Sequence, residues 1–419
     1  MDEERLDEAE VQPVVEDSPA EDTPVESVRP APEQEDSLPT KKKKRLWLRI
    51  LLWTLAVILT IAMTVALYFG IRIWRMLNSV NYMTESEYTL SSEQVESIHL
   101  EDTENQTMSP EEETDPEMPN LGDLENQFTS EPATVPSDSA SEPSQGTSAP
   151  GTTEPPATEP TTSVGDILNI LLIGQDRRPG ESRARSDSMI LVTFNKTTHE
   201  ITLTSFLRDA YVQIPGYKPH KLCHAFQYGG MSLLNQTLEV NFGVNVDGDI
   251  CVDFSQFEQI IDYLGGVDIK LTKKESDYMK QEYGLNVEPG LQRLNGKEAL
   301  YYSRIRQIDT DYRRAGRQRT VLMSLVERYK SLSVTEMLDM LEEVLPMIST
   351  NIDKNDVIPL AMELFPLLTS CVFKTQQIPA EGTFIGGNVK VRPGLKNWFE
   401  YNIDFEENRR ILQEIFDAD

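Results

Sequence analysis

The fold is decided by residues 166–209, which read DILNILLIGQDRRPGESRARSDSMILVTFNKTTHEITLTSFLRD. Within this stretch, DILNILLIG (166–174) and SMILVTFN (188–195) are short apolar runs rich in β-branched residues, and EITLTSFLRD (200–209) alternates apolar and polar residues. Runs of this length and composition are typical of half-buried or buried strands. The sequence therefore predicts three strands that begin the core of a sheet.

Helices and further strands follow these three strands. The spacing of apolar residues predicts helices over 231–242, 254–264, 295–305 and from 311 or 312 to 329, and two acidic helices between 334 and 367. Strands are predicted at 249–254 and 266–271, with a final Val/Phe/Ile-rich segment at 371–391. Strands mixed with helices over about 250 residues predict a single α/β domain with a central mixed β-sheet flanked by helices.

An uncharged stretch lies well before this domain. Residues 50–71 read ILLWTLAVILTIAMTVALYFGI, and roughly 22 residues at about 1.5 Å each match the roughly 30 Å hydrocarbon layer of a bilayer. A cleaved secretory signal is the alternative, but such a signal has a shorter apolar core and begins close to the N-terminus. We therefore expect one membrane-spanning helix.

Basic residues abut the N-terminal side of this stretch, in KKKKR at 41–45. Orientation follows the bias of Lys and Arg, so the N-terminal tail should be cytoplasmic and everything after residue 77 extracellular. Read alone, KKKKR resembles a nucleic-acid patch, but its position beside an apolar span favours membrane anchoring. We expect a single-pass protein of the cell membrane with no nucleic-acid partner.

Acidic residues give the chain its net charge of −30, and they are concentrated in two segments. Residues 1–40 hold fourteen acids against two arginines, and residues 78–163 hold nineteen acids with neither Lys nor Arg. The second segment is rich in Ser, Thr and Pro and lacks the apolar content that offsets chain entropy. We predict a cytoplasmic tail at 1–45, a membrane helix with its flanks at 46–77, a disordered linker at 78–163 and the folded domain at 164–419.

The cysteines are few and lie outside any CxxC or Cys/His ligand spacing, at Cys223, Cys251 and Cys371. We therefore expect neither a disulfide scaffold nor a zinc site, although one pair could form in an oxidising exterior. His220 and His224 are spaced i, i+4, but with four histidines in the chain a metal site built on imidazole is disfavoured.

The segment 301–319, YYSRIRQIDTDYRRAGRQR, concentrates arginines in an otherwise acidic chain. Guanidinium groups match phosphate oxygens two at a time, which favours anion recognition over the alternative of a solvated, salt-bridged helix face. Asp311, Arg314 and Gln318 are spaced i, i+3, i+7 and share one face at the N-terminal end of the long helix, where the dipole favours an anion. Arg304 and Arg306 lie just before this helix and are expected to close on the same group.

Two aspartates and an arginine lie where the first three strands end. Asp176 follows the first strand and Asp187 precedes the second, and α/β proteins bind ligands at such strand ends. Two carboxylates that also meet phosphate oxygens are a usual way to hold Mg²⁺, whereas a turn or capping role is the alternative for each. Arg208 ends the third strand, where a surface pair with Asp209 is the alternative to phosphate binding.

These motifs resemble those of the LytR-CpsA-Psr family of Gram-positive envelopes, over about residues 167–330. LIGQDRR with the later RSDSMILVTFN is similar to the family's opening motif, SFLRDAYVQIPG to its Pro-Arg-Asp motif, and KLCHAFQYGG to its Lys-x-Asn-x-Ala-Tyr segment. GLQRLNGKEALYYSRIR and DYRRAGRQR continue the likeness in order. Leu207 replaces the motif's proline, Cys223 replaces its asparagine, and the loop between Arg306 and Asp311 is short. None of these departures removes a charged ligand.

The resemblance implies a Mg²⁺-dependent phosphotransferase, with Mn²⁺ as an alternative ion. Such an enzyme moves an anionic glycopolymer, for example teichoic acid or capsular polysaccharide, from a polyprenyl pyrophosphate carrier to peptidoglycan and forms a phosphodiester. The metal aspartates would be Asp176 and Asp187, which with Arg208 and Arg306 form the catalytic set, and Asp176 is favoured as the proton acceptor. The resemblance assigns pyrophosphate binding to Arg185, Arg208, Arg304, Arg306, Arg314 and Gln318, and a supporting role to Asp311 and Lys221.

Two other classes of function remain open from the sequence. A polyprenyl pyrophosphate hydrolase or lipid-binding protein would use the same site with water in place of the sugar hydroxyl. An envelope regulatory or scaffold protein is the second alternative, although direct control of transcription would require the opposite topology.

Overall fold

The computed structural model describes residues 40–83, 106–107, 117–125, 128, 167–177, 184–330 and 332–417. The predicted cytoplasmic tail up to residue 39 and most of the predicted linker lie outside these residues. The chain divides into one unit that ends at Tyr68 and a second unit that begins at Phe69.

Helix α1, Thr40–Ser79, contains the predicted membrane span. Its portion Leu51–Ser79 has a mean hydropathy of 2.2 and is the one helix among the described residues that is long and apolar enough to cross a bilayer. Apolar side chains in the first unit's part of this helix are exposed, as at Trp53. Length and composition therefore agree with the predicted span.

The second unit contains the remaining elements. Its strands are β1 (Asn81–Tyr82), β2 (Gln106–Thr107), β3 (Ile167–Gln175), β4 (Ser186–Asn195), β5 (Glu200–Phe206), β6 (Tyr211–Val212), β7 (His220–Lys221), β8 (Gly248–Asp253), β9 (Val267–Leu271), β10 (Gly290–Leu294), β11 (Ser349–Thr350), β12 (Val372–Ile378), β13 (Ile385–Arg392) and β14 (Leu395–Tyr401). Its further helices are α2 (Leu121–Glu125), α3 (Leu222–Phe242), α4 (Phe254–Tyr263), α5 (Lys273–Tyr283), α6 (Gly296–Arg304), α7 (Asp311–Tyr329), α8 (Val334–Val344), α9 (Val357–Ser370) and α10 (Phe405–Phe416).

The central sheet has the order β1-β11-β8-β3-β4-β5-β12. β4 pairs antiparallel with both β3 and β5, whereas β8 is parallel to β3 and β12 is parallel to β5. The sheet is therefore mixed, and the three predicted strands lie next to one another within it. The prediction of a central mixed sheet flanked by helices is confirmed.

Both faces of this sheet are covered. Because successive side chains of a strand point to opposite faces, Met189 and Leu191 of β4 pack in one core while Ile190 and Val192 pack in another. The first core includes Phe226 of α3 and Leu412 of α10. The second is bordered by α7 and α9. Because β4 is buried on both faces, the successive residues MILV within SMILVTFN are apolar and do not alternate with polar ones.

A separate core joins the helices that carry the arginines. β9 and β10 form an antiparallel hairpin, and buried side chains of this core include Ile261 of α4, Met279 of α5, Tyr302 of α6 and Val321 of α7. Helices α4, α5 and α6 each begin with a capping box, in which the N-cap side chain and the residue three positions later exchange hydrogen bonds. Local sequence patterns predicted α4, α6 and α7 but not α5 or β10.

Part of the predicted linker is folded. Strand β2 pairs with β14, and Leu124 of α2 is 2% exposed in a core shared with Tyr211, Val389 and Phe399. The prediction of disorder over the whole of 78–163 therefore differs from the structure at these residues. The physical reason is that a few apolar side chains of this segment pack against the β13–β14 hairpin. The rest of that prediction concerns residues outside the described part of the chain.

Helix α6 approaches α4 at a glycine. A Cβ added at Gly296 would lie 2.1 Å from the carbonyl oxygen of Glu258, and the Gly296 N–H donates a hydrogen bond of 2.7 Å to Asp262 Oδ1. Since α6 carries Arg304 and leads directly to Arg306, this contact fixes the position of two predicted phosphate-binding residues.

We expect Gly296→Ala to lower the free energy of unfolding by about 1 to 3 kcal/mol, because a methyl group there must push α6 off the α4 backbone. Urea denaturation of the detergent-purified chain, followed by circular dichroism, measures this change. Gly316→Ala in α7 is the matched control, since the nearest atom to its added Cβ lies 4.0 Å away. That variant should be neutral or stabilised by up to about 1 kcal/mol. Equal unfolding midpoints for the two variants would contradict the packing argument.

A buried aspartate lies in β8. Asp249 is 0% exposed, and its Oδ2 accepts hydrogen bonds from the side-chain amides of Asn235 at 2.8 Å and Asn351 at 2.5 Å. Burial raises its pKa to about 7, against the opposing effect of these two hydrogen bonds. The folded chain therefore holds this proton more tightly than the unfolded chain.

A group whose pKa is higher in the folded than in the unfolded chain makes the free energy of unfolding fall as pH increases. The stabilising contribution of Asp249 should therefore be complete below its ordinary pKa of 3.8 and should be lost progressively as pH rises toward 7. We expect Asp249→Asn, which mimics the protonated acid, to match the wild type near pH 4 and to exceed it in stability at pH 8. The difference should grow by up to about 1.4 kcal/mol per pH unit between these limits. A constant difference across a pH series of urea unfolding curves would show that Asp249 does not titrate in this way.

Candidate functional site

Two cavities meet at a group of basic side chains in the second unit. The first, of about 510 Å³, we call the apolar cavity, and its apolar lining includes Leu172, Ile190, Val252, Phe257, Val321 and Leu325. The second, of about 840 Å³, we call the hairpin cavity, because residues of the β13–β14 hairpin line it, among them Gly386, Asn397, Trp398 and Glu400. Arg185, Arg208, Arg306 and Gln307 line both.

The structure brings all the predicted site residues to these two cavities. The apolar cavity is lined at its charged end by Asp176, Arg185, Asp187, Arg208, Arg304, Arg306, Arg314 and Gln318. Lys221 and Asp311 line the hairpin cavity. Residues that are far apart in the sequence therefore surround one region, as the site prediction requires.

Neighbouring strands place the two predicted metal aspartates side by side. β3 and β4 are antiparallel, and Gln175 pairs with Ser186 at the end of the ladder. The backbone N–H of Asp176 donates to the carbonyl oxygen of Arg185 at 3.2 Å, which closes the turn region between the strands. Asp176 and Asp187 thus lie next to this last pair, at the same end of the sheet.

A buried carboxylate that the site prediction did not include organises the basic group. Asp209 is 1% exposed and pairs with Lys221 Nζ at 3.0 Å, Arg306 at 2.9 Å and, more distantly, Arg208 Nε at 3.6 Å. Burial alone would raise its pKa, but Lys221, Arg208 and Arg306 reverse this and hold the pKa far below its ordinary value. Asp209 is the last residue of the FLRD motif. The sequence alone does not distinguish a buried aspartate at this position from one that forms a surface pair with Arg208, whereas the tertiary structure does.

Arg208 remains a cation in spite of its burial. Its guanidinium donates to Asp187 Oδ1, and its side chain is 11% exposed. Burial lowers its pKa, but the nearby carboxylates of Asp187 and Asp209 more than compensate and raise it well above the ordinary value. Its Nε is buried and lies 3.6 Å from Asp209 Oδ1, just beyond hydrogen-bond distance.

The N-terminal end of α7 presents the predicted face. Arg314 pairs with Asp311 at 2.8 Å, and Arg306 Nε lies 3.5 Å from the same carboxylate. Gln318 Nε2 donates to the carbonyl oxygen of Asp187 at 3.5 Å, which links α7 to the start of β4. Burial lowers the pKa of Arg314, and its Nε also lacks a hydrogen-bond partner within the described ranges.

Two other arginines of the 301–319 segment, Arg317 and Arg319, are structural. Arg317 is 6% exposed and pairs with both Glu275 and Asp309, while Arg319 donates to Ser205 Oγ at 2.7 Å. Neither lines the two cavities. The salt-bridged alternative therefore describes Arg317, whereas Arg304, Arg306 and Arg314 face the apolar cavity.

The charge at the end of the apolar cavity favours an anion. Five arginines and three aspartates line this cavity, an excess of two positive charges in a chain whose net charge is −30. Asp253 is the third of these aspartates, and it pairs with Arg177 at 2.7 Å. An apolar cavity that ends in an excess of guanidinium groups fits an amphiphile with an apolar chain and a doubly anionic head. No group of three or more metal-ligating side chains occurs among the described residues.

Known proteins share both the sequence motifs and the fold. A crystal structure of the protein gbs0355 from Streptococcus agalactiae superposes with a TM-score of 0.52 at 24% identity, over 62% of this chain and 92% of that one, which shows the same fold. The polyisoprenyl-teichoic acid–peptidoglycan teichoic acid transferase TagT of Bacillus subtilis is 36% identical over 214 residues, or 49% of this chain and 65% of TagT. The chain thus spans just under two thirds of that relative's length.

A longer match is found with the transferase TagU of Oceanobacillus iheyensis, which is 32% identical over 264 residues, or 60% of this chain and 75% of TagU. The model of the LytR_cpsA_psr family matches residues 134–398, more than half of the chain and including every residue of the predicted site. The protein with these two cavities therefore belongs to the LytR-CpsA-Psr family.

Proposed function

We propose that this protein transfers an anionic glycopolymer from a polyprenyl pyrophosphate carrier to peptidoglycan and so forms a phosphodiester. The observation that carries the proposal is the apolar cavity that ends at Arg208, Arg306 and Arg314. TagT and TagU, the relatives described above, are named as teichoic acid transferases to peptidoglycan. The polymer carried by this chain is therefore a teichoic acid or a chemically similar anionic glycan.

The polyprenyl tail would occupy the apolar part of the cavity. Side chains from β3, β4, α4 and α7 line it, including Leu172, Ile190, Phe257 and Leu325. Burial of isoprenoid surface there would contribute affinity at about 25 cal/mol per Å². The arginines that line the cavity would then hold the pyrophosphate to which the tail is attached.

The reaction would replace a phosphoanhydride bond with a phosphate ester bond. The acceptor hydroxyl oxygen bonds to the phosphorus that carries the polymer, the bond from that phosphorus to the bridging oxygen breaks, and polyprenyl phosphate leaves. Phosphoryl transfer mainly requires positioning and charge neutralisation, which Arg208, Arg306 and Arg314 would supply. We assign acceptance of the hydroxyl proton to Asp176, which lines the apolar cavity together with Arg208 and Arg306.

The residues present fit a magnesium ion. Asp176 and Asp187 both line the apolar cavity beside the proposed pyrophosphate position, and Mg²⁺ typically takes one or two carboxylates together with phosphate oxygens and water. A bound Mg²⁺, or Mn²⁺ in its place, would neutralise negative charge on the pyrophosphate. We propose Asp176 and Asp187 as its protein ligands.

The proposed topology places the reaction outside the cell. The basic run at 41–45 precedes the apolar part of α1, and this bias favours a cytoplasmic N-terminus with the second unit external. Peptidoglycan and the external face of the carrier lipid would be accessible there.

A transfer assay tests the proposal directly. The full chain in detergent would be incubated with radiolabelled, carrier-linked polymer and peptidoglycan, and label attached to the peptidoglycan would be counted. Label in the wall fraction supports transfer. Free polymer with no label in the wall would instead favour the hydrolase alternative, and unchanged carrier would contradict both.

We expect Arg208→Ala or Arg306→Ala to lower the transfer rate at least tenfold, because each removes a charge-assisted phosphate contact of about 1.5 to 3 kcal/mol. Initial rates measured with the labelled carrier check this expectation. Arg410→Ala is the matched control, since Arg410 lies in α10, pairs with Glu407 and Glu414, and lines neither cavity. Rates equal to wild type in the Arg208 and Arg306 variants would remove these residues from the reaction.

We also expect EDTA to abolish transfer and added Mg²⁺ to restore it. Asp176→Asn and Asp187→Asn should each raise the Mg²⁺ concentration needed for half-maximal rate by about tenfold or more, because each removes a negatively charged ligand. Rate measurements across a magnesium titration provide the comparison. Full activity in EDTA, after removal of trace metal, would contradict the assigned metal dependence.

A further inference from the structure

The β13–β14 hairpin is fixed against the segment that carries Arg208. The backbone N–H of Glu400 donates to the carbonyl oxygen of Asp209 at 3.0 Å, and Ala210 and Glu400 form a parallel bridge. Lys221 Nζ donates to Asn397 Oδ1 at 3.0 Å. One wall of the hairpin cavity is thus tied to the strand end that holds the catalytic arginine.

Trp398 forms a flat, accessible surface on this wall. Its side chain is 44% exposed, although tryptophan is usually largely buried. A Cβ added at Gly386 on the paired strand would lie 3.1 Å from its Cζ2 atom and 3.7 Å from Phe384 Cε2. The absence of a side chain at Gly386 therefore lets the indole and the Phe384 ring lie close over the hairpin backbone.

Glu400 fixes the orientation of this indole. The Trp398 Nε1–H donates to Glu400 Oε1 at 3.0 Å, and Glu400 is 2% exposed. Burial, together with the neighbouring carboxylates of Asp209 and Asp311, raises the pKa of Glu400 well above its ordinary value, which favours the neutral acid. A neutral acid accepts this hydrogen bond without placing a further negative charge beside Asp209 and Asp311.

The hairpin cavity opens on the same arginines as the apolar cavity. Arg185, Arg208 and Arg306 line both, so a ligand held over Trp398 would lie on the side of these arginines away from the apolar lining. In a carrier-linked substrate, the groups beyond the pyrophosphate on that side are sugars, and the attacking hydroxyl also belongs to a sugar. Pyranose rings have apolar C–H faces that pack on flat aromatic surfaces.

We propose that the hairpin cavity is a saccharide subsite in which Trp398 is the stacking surface for a pyranose ring and Glu400 is the positioning residue that holds the indole in place. This deepens the proposed function and rests on it for the identity of the glycan. The ring has two sources, the polymer on the carrier and the glycan of peptidoglycan, and direct binding measurements separate them.

The experiment uses the full chain in detergent and three soluble probes, so that no turnover is needed. One probe is an uncrosslinked peptidoglycan oligosaccharide, the second is farnesyl diphosphate, and the third is farnesyl diphosphate with one hexosamine on its terminal phosphate. Isothermal titration calorimetry measures the affinity of each. Trp398→Ala should weaken saccharide binding by about tenfold and leave farnesyl diphosphate affinity unchanged.

Loss of oligosaccharide affinity in Trp398→Ala supports the proposal with the acceptor glycan as the source. Loss of the extra affinity that the hexosamine gives to the diphosphate supports it with the carrier polymer as the source. If neither changes, or if the wild type gains nothing from either saccharide, the proposal is overturned. Failure of the wild type to bind farnesyl diphosphate would count against the proposed function instead, and the oligosaccharide measurement would still decide this proposal.

Three further variants control for folding and for the role of Glu400. Tyr263→Ala removes an aromatic ring of similar exposure, 46%, that lines neither cavity, and it should leave all three affinities unchanged. Trp398→Phe keeps an aromatic face and should retain most of the saccharide affinity. This variant decides the proposal if Trp398→Ala binds none of the three probes. Saccharide affinity retained in Trp398→Phe would then support the proposal, and its loss would overturn it. Glu400→Gln keeps an acceptor for the indole and should bind saccharide like the wild type. Weakened saccharide binding in Glu400→Gln would overturn the positioning role.

Discussion

The site depends on one electrostatic constraint, the burial of the Asp209 carboxylate among three cations. Lys221, Arg208 and Arg306 lie within 4 Å of it, and without this anion they would repel one another, most strongly where Lys221 and Arg208 are buried. Because Asp209 neutralises only part of their charge, donors are left over for a second anion. Asp209, together with Asp187 beside Arg208 and Asp311 beside Arg306, thus allows these cations to lie close together before any substrate is present.

Much of the fold follows from local sequence patterns. The runs that formed β3, β4 and β5 are apolar because both faces of the sheet are covered. The second half of α7 is amphipathic, with Val321 buried. Each of these elements was therefore predictable. Helix α5 was missed although Thr272 and Glu275 form a capping box, because its exposed face is polar and Ser276 and Met279 are among its few buried residues. The pairing of β2 with β14 joins residues nearly three hundred positions apart, which no local pattern encodes.

Some residues of the candidate site were also predictable from local sequence, whereas others became apparent only in the tertiary structure. The proximity of Arg304, Arg306 and Arg314 was predictable because they are close in the sequence, at the end of one helix and the start of the next. Asp209 could not be separated from a surface pair, since burial depends on the whole fold, and Arg317 could not be separated from its neighbours until Glu275 was placed beside it. Trp398 and Glu400 follow the arginines by some eighty residues or more, and their proximity to Asp209 is a property of tertiary structure alone.

Strand β1 has a consequence for how the domain is connected. Asn81 and Tyr82 pair with β11 inside the central sheet, and Met76 and Val80 are buried against α8 and the residues that follow it. The segment 83–166 therefore has both of its flanking strands, β1 and β3, in the same sheet. A protease that cut within that segment would yield two fragments held together by the sheet and its core. Such a cut would not release the arginines of the site from the fragment that contains α1.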